Sequence, residues 1–356
     1  MSNQFFHDLE TPDLNNSFFK SDKKLVKRIP KTLIISGGSR NGNHIVWSLL
    51  DGNSQLPYLP GEDKFLSQTF WRAFRSIKKF KKDFFKNNFN VFRKLNGITY
   101  DKWEQIYQKK IDIKKWAGSY KAKSAPLQEF PAQIDLDLNY LKYRNFIKKN
   151  IKPIFSFFYF YSFYLKAFAL LSPKKNKKKL QYEYIYAESG LRREIYFLLK
   201  NYVDIKCIVP IRKFESFYFS ITKSIFNSSM IKDKFIKEAW ERWYHKTNDY
   251  LFLKKKFPEK IVIVKFEDLE DISKREKTMK KICKKINIKF EKINVFPTHF
   301  ENNVQPNSSF TELFRGKDQS RFRIINMKAV YKLLFPKKRL PKKYAKIYKL
   351  VEKNSY

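Results

Sequence analysis

The sequence predicts an α/β protein built on a doubly wound, mainly parallel sheet flanked by helices. Three observations carry this reading. Short apolar runs rich in β-branched and aromatic residues recur at TLIIS (32–36), EYIYAE (183–188), IKCIVPI (205–211) and IVIVKF (261–266), the pattern of strands buried on both faces. Segments with apolar residues at helical spacing lie between and after them. Strand and helix alternate along the chain, which calls for parallel strands joined by helical crossovers.

Residues 1–30 read as a polar leader and 31–335 as a single α/β domain. TLIIS is the first strand and ends at Gly37-Gly38. Asn43 to Asp51 reads as a helix with Ile45, Val46, Leu49 and Leu50 along one side, stopped by Gly52. Residues 64–180 read as a basic, aromatic insertion that is mostly helical in pattern. Within it, IFSFFYFYSFYLKAFALL (154–171) approaches the length of a membrane span. Lys166 and the serines and tyrosines in it favour a buried or interfacial aromatic helix instead. The lysine run 174–179 reads as an exposed loop.

The second strand, the helix LRREIYFLLKN (191–201) and the third strand form a βαβ unit, which implies parallel pairing and a right-handed crossover. Helices follow at Lys213–Phe226, Phe235–Phe257 and Ser273–Ile286, the last two separated by the fourth strand. Residues 336–356 read as a basic C-terminal tail.

Hydrophobic residues make up 43% and aromatics 18% of the 356 residues, enough for a sizeable core and too many for a disordered chain. Lys+Arg outnumber Asp+Glu by 75 to 34, a net charge of +41. Such a field attracts anions: nucleotides, acidic glycans, nucleic acid or anionic lipid. The excess is mostly lysine and accompanies abundant Asn, Ile, Phe and Tyr, as an AT-rich coding bias would give, so charge is supporting evidence only. Cys207 and Cys283 offer neither a disulfide framework nor zinc spacing. The four histidines are scattered, and no metal is expected. The start MSNQFFHDLE lacks a secretory pattern, so a cytoplasmic location is expected.

Chemistry concentrates at the strand ends. Gly37-Gly38-Ser39-Arg40-Asn41-Gly42-Asn43-His44 joins the first strand to the first helix. Glycines allow a tight turn that aims successive N–H groups at one point, and the helix start adds partial positive charge, together a phosphate cradle. An ordinary strand-to-helix turn is the alternative. Gly37 and Gly42 have the two-glycine spacing of a nucleotide-triphosphate P-loop, but Asn43-His44 stands where that loop needs Lys-Ser/Thr, so a kinase or NTPase is poorly supported.

Here the sequence resembles the PAPS-dependent sulfotransferases, enzymes that use 3′-phosphoadenosine-5′-phosphosulfate (PAPS). In that family the donor loop after the first strand reads Lys or Arg, Ser, Gly, Thr, Thr. Arg-Asn-Gly-Asn-His occupies the same frame, with Arg40 matching the basic residue and Gly42 the glycine. The resemblance implies a P-loop-NTPase-like fold and donor contacts from Gly38, Ser39, Arg40, Asn41, Gly42, Asn43 and His44. It also covers IKCIVPIRKFESFYFS, where Arg212 at a strand end and Ser220 eight residues later match the pair that holds the donor's 3′-phosphate. Guanidinium forks onto phosphate oxygens, and a serine two helical turns on faces the same side. Lys213 and Ser216 are the nearest competitors. Arg315 and Lys317, beside Gly316, match a late loop over the adenosine.

The late strand and Glu267-Asp268-Leu269 also resemble the family, with both carboxylates read as structural. Trp240 and Trp243 read as core. The likeness spans about 32–64 and 182–290. The expected reaction is in-line sulfuryl transfer, by positioning, charge stabilisation and a base that takes the acceptor's proton. Glu62 is the leading base, with Asp63 and His44 as alternatives; Arg40 would steady the transferring charge. The sequence departs from the family at Glu188, where many relatives carry lysine, leaving Arg192 or Arg193 to supply positive charge. The acceptor is open; basic surroundings suit an anionic glycan or lipid, and peripheral membrane contact through 154–171 is compatible. A nucleic-acid-binding protein is the alternative class, but no basic repeat or known module supports it.

Overall fold

The computed structural model describes residues 30–38, 41–57, 66–67, 145–146, 149, 161–166, 179–221, 233–299, 302–303 and 340–356. Four strands, β1 (Thr32–Ile35), β2 (Tyr184–Ala187), β3 (Ile205–Ile211) and β4 (Ile261–Lys265), form one sheet in the order β2-β1-β3-β4. All three pairings are parallel. Helices α1 (Asn43–Leu50), α2 (Arg193–Asn201), α3 (Phe214–Ile221), α4 (Asp233–Lys256), α5 (Phe266–Glu270), α6 (Ile272–Lys285) and α7 (Leu340–Asn354) accompany it. A short antiparallel pair, β5 (Thr298–His299) with β6 (Asn302–Asn303), stands apart from the main sheet.

The expected α/β class is therefore observed, and strand boundaries fall within about one residue of the sequence reading. One expectation is corrected. The βαβ unit does not pair its own strands: β1 lies between β2 and β3, with Ile35 level with Ala187 on one side and Ile208 on the other. Thr32 to Ile35 is buried throughout, so the centre of the sheet is the position that hides the most apolar surface. The tyrosine-bearing β2 takes the edge.

Register explains Pro210 in the middle of an apolar strand. The amides of even-numbered β3 residues face β1, but the β1–β3 ladder stops at Ile208. Pro210 lies beyond it and deprives no partner of a hydrogen bond. β3 thus runs three residues past the end of β1, roughly 10 Å. This extension forms a wall beside the β1–α1 turn.

The core is contiguous, with Leu33, Ile34, Val209, Ile263 and Leu253 fully buried. Phe266, read from sequence as the last residue of the fourth strand, begins α5. Trp243 and Trp240 are buried as expected, and Cys207 and Cys283 are buried thiols. Residues 340–354, within the segment read as a tail, form α7, with Ile347 and Val351 buried and the Tyr356 amide bonded to the Ile263 carbonyl at 3.2 Å. Residues 161–166 are helical, with Tyr161, Tyr164 and Leu165 buried. No helix among the described residues is long and apolar enough to cross a membrane.

The far end of α1 is fixed by buried amides. Asn53 donates to the Lys289 carbonyl and to Asn294 Oδ1, at 3.0 and 2.9 Å, and Asn294 donates to the Leu49 carbonyl at 2.8 Å. Satisfied buried amides of this kind hold a helix in one position.

Candidate anion-binding cleft

With the order β2-β1-β3-β4, the chain reverses direction across the sheet between β1 and β3. Open parallel sheets bind ligands at such a reversal, beyond the strand carboxyl ends. Three segments meet there: the β1–α1 turn, the residues after β2 and the exit of β3.

The β1–α1 turn is shaped by close backbone approach. A Cβ at Gly37 would run into the Pro210 carbonyl oxygen, so only glycine lets the turn lie against the β3 extension. Gly42 has φ 101° and caps α1 without a side-chain hydrogen bond. A Cβ there would enter the Phe266 ring. The first turn of α1 starts from this glycine and carries no acidic residue of its own, the arrangement that favours an anion.

Asn43 is buried and its side chain holds the turn. Oδ1 accepts from the Gly37 amide at 2.6 Å, and Nδ2 donates to Ser189 Oγ at 2.9 Å. What Asn43 offers a ligand is its backbone N–H. Asn41 is also buried; its Oδ1 meets no donor among the described residues. Half-buried His44 lies 5.6 Å from Trp47, ring centre to ring centre. Gly38 borders Asn41 and the aliphatic part of Lys246. Ser39 and Arg40 lie outside the described residues.

The segment after β2 is tied to this turn by the Gly190 amide, which donates to the Gly37 carbonyl at 2.8 Å, and by the Leu191 amide, which donates to Ser36 Oγ at 3.2 Å. Glu188, the departure from the family pattern, is 1% exposed. Its carboxylate accepts from the Leu66 amide at 3.0 Å, from Ser67 and from the Tyr186 hydroxyl. A buried carboxylate this well supplied with donors is an anchor for the incoming chain. Arg192 pairs with the buried Asp249, so the guanidinium considered as replacement charge is committed to α4.

At the third corner, Arg212 leaves β3 and its guanidinium carbon stacks 3.5 Å from the centre of the Phe266 ring. Its carbonyl accepts from Trp243 Nε1 at 2.7 Å. The next amide, Lys213, donates to Glu267 Oε1 at 2.8 Å, while Tyr348 donates to the other oxygen of that carboxylate. Glu267 is thus structural, as is Asp268, which pairs with Lys265 at 3.2 Å. Phe266 touches both Gly42 and Arg212, so the turn and the arginine share one wall. Ser220 falls within α3; its side chain lies outside the described residues, as do Glu62, Asp63, Arg315, Gly316 and Lys317.

Sequence reasoning passed over Lys246. It projects from α4 to the rim of the turn: its Cδ would lie 3.5 Å from a Cβ on Gly38 and its Nζ 3.7 Å from one on Gly190. Burial, then the neighbouring Arg192 and Arg242, holds its pKa below the usual lysine value, with Asp249 opposing. The available signal was helical spacing: Trp243, Lys246 and Asp249 recur at every third residue, on one face.

Among the described residues, no group of three or more His, Cys, Asp or Glu could hold a metal ion. The fold is that of an α/β protein with a candidate anion-binding cleft at the sheet's reversal point. No family model matches the chain, and no curated protein matches it. Solved structures are similar to it. The sulfotransferase domain of the Synechococcus PCC 7002 olefin synthase is 13% identical with a TM-score of 0.44, covering 84% of this chain and 95% of that one. The sulfotransferase domain of the curacin biosynthetic pathway is 16% identical with a TM-score of 0.38, covering 79% and 82%. A Mycobacterium tuberculosis H37Rv sulfotransferase is 13% identical with a TM-score of 0.36, covering 91% and 81%.

Proposed function

We propose that the protein is a sulfotransferase that moves a sulfuryl group from PAPS to a hydroxyl or amine of an acceptor. The observation that supports this most is the meeting of the Gly37–His44 turn and Arg212 on the shared Phe266 wall. A donor with phosphate at both the 3′ and 5′ positions suits two neighbouring anion sites, and the adjacent parallel strands β1 and β3 that carry the turn and Arg212 lie about 4.8 Å apart. In this reading the turn and the α1 amides hold the 5′-phosphosulfate. Arg212, with Ser220, holds the 3′-phosphate.

The reaction is an in-line displacement. The acceptor oxygen or nitrogen forms a bond to sulfur as the bond from sulfur to the 5′-phosphate oxygen breaks. The acceptor's proton passes to a base, and adenosine 3′,5′-bisphosphate leaves. Glu62 is the proposed base. It lies four residues before Leu66, whose amide Glu188 pins at the end of β2, and four residues reach at most ~14 Å. Arg40 steadies the transferring charge, and Arg315 and Lys317 cover the adenosine. The net charge of +41 suits an anionic glycan or lipid as acceptor.

Calorimetric titration with adenosine 3′,5′-bisphosphate and with ATP tests the donor assignment. The expected result is micromolar-range binding of the bisphosphate and at least tenfold weaker binding of ATP. Equal affinities, or ATP turnover with magnesium, would refute it. A labelled-sulfate transfer screen over glycans and lipids then identifies the acceptor.

A further inference from the structure

We propose that Lys246 is the cation that receives the transferring sulfuryl end of the donor, on the side of the cleft opposite Arg212. The inference rests on the sulfotransferase reading and assigns a residue that neither the sequence motifs nor the turn itself supplies.

Strand order sets the direction. β1 has β3 on one flank and β2 on the other. Arg212 stands at the β3 end, so a donor held there by its 3′-phosphate and laid across the β1–α1 turn points its other end toward β2. The residues after β2 are where Lys246 is found. Its Nζ is 3.7 Å from the Cβ position of Gly190 and its Cδ is beside Gly38. Gly190 has φ 84°, and the absence of a side chain on that segment leaves the ammonium room at the rim.

Charge supports the same placement. Arg192 is paired with Asp249, and Arg242 with Glu238. Among the described residues no carboxylate lies within ion-pair distance of Lys246. The ammonium is half-buried near two other cations, and its lowered pKa follows from that surrounding. A cation in this state gains when an anion arrives, because the ligand replaces lost solvation and offsets repulsion. α4 holds the position firmly: one turn before Lys246, Trp243 bonds to the Arg212 carbonyl, and one turn after, Asp249 pairs with Arg192. The point at which the Lys246 side chain leaves α4 is therefore fixed relative to the Arg212 corner.

The test compares PAPS with adenosine 3′,5′-bisphosphate, which lacks the sulfuryl group. In calorimetry, Lys246→Met is expected to weaken PAPS binding about tenfold or more, the loss of one charge-assisted hydrogen bond, and to change bisphosphate binding less than about threefold. Lys246→Arg should restore most of the PAPS affinity. In the wild-type protein, PAPS should protect Lys246 from acylation by acetic anhydride, read by peptide mass spectrometry, more strongly than the bisphosphate does. This measurement needs no variant to fold. Unchanged PAPS affinity in Lys246→Met, equal losses for both nucleotides, or equal protection by both would each overturn the assignment while leaving the donor reading intact. Failure of the wild-type protein to bind the bisphosphate would instead remove the donor reading, and this inference with it.

Discussion

The Arg212 guanidinium carbon sits over the Phe266 ring, 3.5 Å from its centre, and the same ring fills the space a side chain at position 42 would need. One aromatic side chain thus sets the distance between the arginine and the glycine turn. Phe266→Leu should preserve the fold yet weaken adenosine 3′,5′-bisphosphate binding by roughly 3- to 30-fold, the range of a partly desolvated cation–π contact. Arg212→Ala should weaken it by about tenfold or more. Calorimetry checks both, and an Arg212→Ala protein that binds the bisphosphate as the wild type does would remove Arg212 from the site.

Gly42→Ala should damage the turn in two ways. An L-residue at φ 101° is strained by about 1–2 kcal/mol, and the new methyl would displace Phe266. The expected outcome is a lower urea midpoint and a loss of bisphosphate binding larger than that of Phe266→Leu. A variant with wild-type stability would show that the turn tolerates a side chain.

Glu188→Gln should loosen the chain that enters near Glu62. The carboxylate accepts from the Leu66 and Ser67 amides, and a neutral amide cannot accept from all of these donors. Hydrogen exchange at the Leu66 and Ser67 amides should accelerate about tenfold or more, while exchange in β1 and β3 stays slow. Unchanged exchange at residue 66 would refute the anchoring role.

Burial raises the Cys283 thiol pKa to about 12, above its value in an unfolded chain. The folded state therefore keeps its proton at pH values where the unfolded state has lost it. The stability this provides is complete below about pH 9 and declines as pH rises toward 12. The stability advantage of wild type over Cys283→Ala should shrink by about 1–2 kcal/mol between pH 8 and 10.5, as measured by urea denaturation. Iodoacetamide should leave Cys283 unmodified in the native protein at pH 8 and react once urea unfolds it.

Much of the candidate cleft was legible because its parts are local. Gly37, Gly42 and Arg212 stand where an apolar strand stops, and a strand end followed by glycine or by a guanidinium can be read over a dozen residues. The roles of Asn43, Glu188 and Phe266 were not legible. Asn43 lies in a loop that looks fit to touch a ligand, yet its amide bonds to Ser189, 146 residues later. Glu188 looked like a missing lysine and proved to hold a chain segment more than a hundred residues earlier.

By itself the sequence determined the alternation of strand and helix, the four strand positions, and the glycine turn and the arginine that follow two of the strands. Those features follow from side-chain periodicity and backbone restriction, which act between near neighbours. The tertiary structure decided that β1 separates β2 from β3, that Phe266 joins the turn to Arg212, and that Lys246 comes to the rim from α4. Such choices minimise exposed apolar surface and unpaired buried charge across the whole molecule, and no local pattern records which distant residues will meet.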